Sequence, residues 1–79
     1  MEKITERINN LVEELAEGNG KKFADKANIK QATFYNYMNG RIPNVESLGN
    51  ICRTYQVSLN WLIEGIGEKY LFNETKMVK

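Results

Sequence analysis

Residues that end helices stand at short intervals along this chain: Gly18, Asn28, Gly40 and Gly65, with Pro43 just beyond the third. Glycine and asparagine enter the left-handed conformation that closes a helix at the least steric cost. Proline lacks the N–H that a helix interior needs. Helices here are therefore short, and each must bury one side against its neighbours to persist.

Apolar spacing and caps predict five of them. Ile4, Ile8, Leu11, Val12 and Leu15 form the inward stripe of the first. Asn19 caps a second, with Phe23, Ala24 and Ala27 inward and Asn28 at the turn. The third runs from about Lys30 to Asn39 on Phe34, Tyr37 and Met38. Asn44 caps a fourth, carrying Val45, Leu48, Ile51, Cys52 and Tyr55, and Ser58 a fifth, where Leu59, Trp61, Leu62 and Ile63 close the core. No stretch alternates like a strand, so the predicted fold class is all-α, a five-helix bundle.

Composition removes several functions. The chain has one cysteine and no histidine, which excludes an internal disulfide and the usual zinc and iron–sulfur sites. Cys52 reads as a small buried hydrophobe, and such cysteine usage fits a reducing cytoplasm. No acid–base pair or activated nucleophile can be assembled, so no enzyme, cofactor or small-molecule substrate is expected. Gly65-Ile66-Gly67 has neither a preceding strand nor a phosphate-loop lysine and is not a nucleotide site. No apolar run approaches the ~18 residues of a membrane span.

The net charge of +1 hides a gradient. Residues 1–19 carry two cations against five carboxylates, whereas residues 20–41 carry five cations against Asp25 alone. Polyanions respond to such local patches more than to totals.

That cationic stretch holds the most constrained pattern in the chain. From Gly20 to Asn39, Ala24 is small where two helices must cross closely, and Asn28 supplies the turn. Ile29, Phe34 and Tyr37 pack the second helix back onto the first. This is the arrangement of a helix-turn-helix unit. Rotation of the third helix by about 100° per residue then points Gln31, Ala32, Tyr35, Asn36 and Asn39 outward. Asparagine and glutamine amides pair bidentately with adenine, and an alanine methyl meets the methyl of thymine. The face carries none of the acids that would repel DNA.

Phe23-Ala24-Asp25-Lys26, Asn39-Gly40 and the ending Val57-Ser58-Leu59-Asn60-Trp61-Leu62-Ile63-Glu64-Gly65 carry a resemblance. Residues 19–67 resemble the Cro/CI-type (XRE-like) helix-turn-helix family, particularly the amino-terminal domains of phage repressors of the lambda type. The resemblance implies a lambda-repressor-like five-helix domain that places its third helix in the major groove of double-stranded DNA, as a homodimer on a palindromic operator. By position, Gln31, Ala32, Tyr35 and Asn36 are the implied base contacts. Lys21, Lys22, Lys30, Asn39 and Arg41 are the implied backbone contacts. Two departures are visible: Asn28 replaces the usual turn glycine, and Gly20 replaces a polar residue that touches the DNA backbone at the start of helix two.

Residues 1–66 are expected to form the DNA-binding domain. Residues 67–79, with Tyr70, Leu71 and Phe72, form a tail that is a dimer contact or a link to a further domain. The leading expectation is a cytoplasmic, nucleoid-associated transcriptional regulator, a repressor of phage or prophage type. The alternative is the same fold used as a protein-interaction module, such as an antirepressor or an antitoxin-like regulator.

Overall fold

The computed structural model describes residues 3–71. Five helices follow in order: α1 (Ile4–Ala16), α2 (Gly20–Lys26), α3 (Gln31–Met38), α4 (Val45–Tyr55) and α5 (Leu59–Glu64). Among the described residues the only extended pairing is an isolated antiparallel bridge between Val57 and Tyr70. The fold class is all-α, as the apolar spacing predicts.

The expected caps form. Asn19 Oδ1 accepts from Lys22 N at 3.0 Å, Asn44 Oδ1 from Ser47 N at 2.8 Å and Ser58 Oγ from Trp61 N at 3.2 Å. Each side chain satisfies an amide that the first helical turn leaves without a partner. At the other ends, Asn28, Gly40 and Gly65 all have positive φ, at 61°, 103° and 74°. α1 differs in detail: Glu17 already takes the left-handed conformation at φ 55°, and Gly18 follows at φ 83° with its N–H on the Val12 carbonyl.

One core joins the five helices. Ile8, Leu11, Phe23, Ala24, Ile51, Val57 and Leu62 are fully buried. Phe23 is its centre, stacked on Tyr55 with ring centroids 4.5 Å apart and tilted against Phe34 at 5.6 Å. Tyr55 also donates its hydroxyl to the Phe23 carbonyl at 2.9 Å, joining α4 to α2.

Four apolar residues assigned inward by spacing face out instead. Leu15 is 37 % exposed, Val45 85 %, Leu59 47 % and Ile63 43 %. All lie at helix ends or on the six-residue α5, where the neighbouring helices are too short to cover a whole stripe. Ala16 and Arg7 fill inward positions of α1, and Ser47 one of α4.

After α5 the chain turns back. Ser58 N donates to the Lys69 carbonyl and Leu71 N to the Gln56 carbonyl, both at 2.8 Å. Tyr70 packs on the core, and its hydroxyl bonds to Glu14, which also takes Lys69 Nζ at 2.8 Å. Those hydrogen bonds hold the Glu14 carboxyl below its ordinary pKa. Leu71 is exposed, and Phe72 lies outside the described residues.

Candidate nucleic-acid interface

α3 is oriented from three sides. Ile29 N bonds to the Ala24 carbonyl at 2.9 Å through the left-handed turn at Asn28, so α3 starts at a defined angle to α2. Thr5 Oγ1 on α1 donates to the Tyr37 carbonyl at 3.2 Å. The Tyr37 and Ser47 hydroxyls share a buried hydrogen bond at 2.9 Å, joining α3 to α4. Phe34 and Tyr37 are buried and Met38 half-buried, as the inward stripe requires.

With that face buried, Gln31, Ala32, Tyr35 and Asn36 are exposed. Tyr35 leaves 69 % of its surface free. Thr33, between them, is half-buried. No carboxylate stands on α3. Its outer surface therefore offers two amides, a methyl and a phenol, which together can donate, accept and make apolar contact.

Positive groups border this face. Lys21 and Lys22 are exposed in the first turn of α2, and Lys30 is the exposed N-cap of α3. Arg41 is exposed just past α3, its backbone N–H held by the Asn36 carbonyl at 3.0 Å. Asn39 is exposed too, and donates from Nδ2 to the Tyr35 carbonyl at 2.9 Å, which steadies the end of the helix. Lys26 is exposed, and its Nζ lies over the Tyr55 ring, 5.6 Å from its centroid. Asp25 shares a shallow depression with Lys21 and Lys22.

Gly20 has a packing reason. A Cβ there would meet Phe34 Cε2 at 3.3 Å, so the bare α-carbon lets the Phe34 ring lie against the start of α2. The two helices leave an apolar groove of about 250 Å³ between them, with Gly20, Gln31, Phe34 and Tyr35 among its walls.

Two buried polar residues that join the helices are less visible in the sequence. Arg7 looks like a surface cation but is 4 % exposed. Ser47 looks like a neutral helix residue but anchors Tyr37. Both occupy inward positions of amphipathic helices, and that register was the signal available for them.

A family model described as helix-turn-helix matches residues 13–62, from late α1 into α5. The chain belongs to the Cro/CI-type helix-turn-helix family. This helix-turn-helix protein is accordingly a DNA-binding regulator of the XRE type. No curated protein and no solved structure matches it. No helix among its described residues is long and apolar enough to cross a membrane.

Proposed function

We propose that the protein is a transcriptional repressor that reads an operator through the major groove with α3, as a homodimer on a palindromic site. The observation that carries this reading is the exposed, acid-free outer face of α3 bordered by Lys21, Lys22, Lys30 and Arg41. Gln31 and Asn36 have the donor–acceptor pair that adenine presents in the major groove, and Ala32 suits a thymine methyl. Tyr35 stacks or reaches a phosphate through its hydroxyl. The lysines, Asn39 and Arg41 hold phosphates and set the register, which carries affinity but no sequence information.

The dimer has separate support. Leu59 and Ile63 stand one turn apart on α5 and Ile66 follows, all between 43 % and 59 % exposed. Apolar groups clustered in this way fit self-association better than a solvated surface. Repression is then steric, with the occupied operator overlapping a promoter and excluding polymerase until the dimer is broken.

The test is selection of binding sites from a random duplex pool, then titration of the winner at two salt concentrations and sedimentation with and without it. The expected product is a palindrome whose half-site centres lie about one helical turn (~34 Å) apart, bound by two chains. If no motif emerges and binding vanishes at physiological salt, the operator reading is wrong and the same face serves a protein partner. Repression itself is read from a reporter whose promoter overlaps the recovered site; unchanged transcription would reject it.

A further inference from the structure

Beyond α3 the chain forms a further concave feature, a cleft of about 360 Å³ lined by Thr33, Asn36, Tyr37, Arg41, Ile42 and Asn44. Ile42 is its unusual wall. The side chain is 76 % exposed and takes no part in the core. A lone exposed isoleucine needs no explanation in general. This one is held in place on both sides. The preceding residue, Arg41, is tied by its N–H to the Asn36 carbonyl at 3.0 Å. The following residue, Pro43, is buried and restricts Ile42 to extended backbone. The Ile42 backbone is thus restrained, and its side chain lines the same cleft as Asn36.

The cleft also has a charge preference. None of its lining residues is acidic, and Arg41 supplies a cation. Asn44 spends its Oδ1 on the Ser47 amide, leaving Nδ2 as a donor. Donors and a cation around an apolar wall suit DNA and disfavour a cationic or purely apolar occupant.

An A·T pair presents, side by side in the major groove, the N6/N7 edge of adenine and the 5-methyl of thymine. Asn36 and Ile42 match that order, an amide next to an apolar side chain. We infer that Ile42 is a specificity residue: it contacts the 5-methyl group of a thymine, next to the base that Asn36 reads. This rests on the operator reading proposed above. It places part of the sequence preference outside α3, in the α3–α4 loop.

The experiment uses the 79-residue chain and the selected operator, with each thymine replaced singly by uracil, which removes only the 5-methyl group. In each half-site the wild type should show a thymine, next to the base read by Asn36, whose replacement weakens binding about fourfold, the effect of one buried methyl-sized group. Ile42→Ala should bind the thymine and uracil versions of that position equally, while retaining the sensitivity of any position read by Ala32. Circular dichroism of Ile42→Ala, a change at an exposed site, checks that the fold is kept. The inference is overturned if Ile42→Ala weakens thymine and uracil operators to the same extent, which would put the side chain against deoxyribose. It is equally overturned if no uracil position distinguishes wild type from variant. Failure to recover any operator is a different result, because it rejects the DNA-reading proposal itself.

Discussion

The guanidinium of Arg7 on α1 closes the end of α5: Nε donates to the Leu62 carbonyl at 2.8 Å, and Nη2 to the Ile63 carbonyl at 2.6 Å. The last carbonyls of a helix have no partner within it. Here one planar fork satisfies two of them, and Gly65 N–H takes the Trp61 carbonyl at 2.7 Å. Gly65 serves the same junction twice. Its φ of 74° turns the chain, and a Cβ there would meet Arg7 Nη1 at 3.0 Å.

Arg7→Ala should therefore lower stability by about 2 kcal/mol, the scale of charge-assisted hydrogen bonds whose carbonyl partners are left behind. Arg7→Lys should recover only part, since an ammonium cannot reproduce the fork. Urea unfolding reads this as a lower midpoint at unchanged slope. A loss under ~0.5 kcal/mol for the alanine variant would mean that water caps α5 equally well.

The turn between α2 and α3 makes its own prediction. With Asn28 at φ 61°, Asn28→Gly should be nearly neutral, whereas Asn28→Ala should cost about 1 kcal/mol. Thermal or urea unfolding of the pair checks this. Equal stability of the two variants would show that the turn relaxes out of the left-handed region.

For DNA binding, Gln31→Ala should lose roughly 1–3 kcal/mol on the selected operator and relax preference at one base pair. Lys21→Ala and Lys22→Ala should instead weaken specific and random duplexes alike and reduce the salt slope by about one. If Gln31→Ala weakened all DNA equally, Gln31 would be a positioning residue. An unchanged salt slope would take the lysines out of the interface.

Acid should act on the return segment. Glu14 titrates below the ordinary glutamate value because the Lys69 and Tyr70 hydrogen bonds favour its charged form. A depressed folded-state pKa gives stability that is complete above the unfolded value of about 4.3 and is lost as pH falls through the lower folded one. Glu14 is half-exposed, so the effect is small. Lys69 Nζ lies 5.3 Å from the centroid of the Trp61 ring, which makes Trp61 fluorescence the natural reporter. Wild type should show a fluorescence transition below about pH 4.3 that Glu14→Gln lacks. The same transition in both proteins would assign it to another carboxylate.

Local chemistry made much of this molecule legible in the sequence. The caps at Asn19, Asn44 and Ser58, the positive-φ turns at Asn28, Gly40 and Gly65, and the outward set on α3 all depend on a residue and its near neighbours along one helix. Such interactions span three or four positions, so pattern alone finds them. What lay beyond pattern was decided by residues distant in sequence. Arg7 and Leu62 stand 55 positions apart, as do Glu14 and Lys69. Whether Leu15, Val45, Leu59 or Ile63 is covered depends on where a neighbouring short helix stops, which no stripe within its own helix records. Periodicity specifies which side of a helix turns inward; only the packed structure specifies how far that side is roofed and which polar groups fill the gaps.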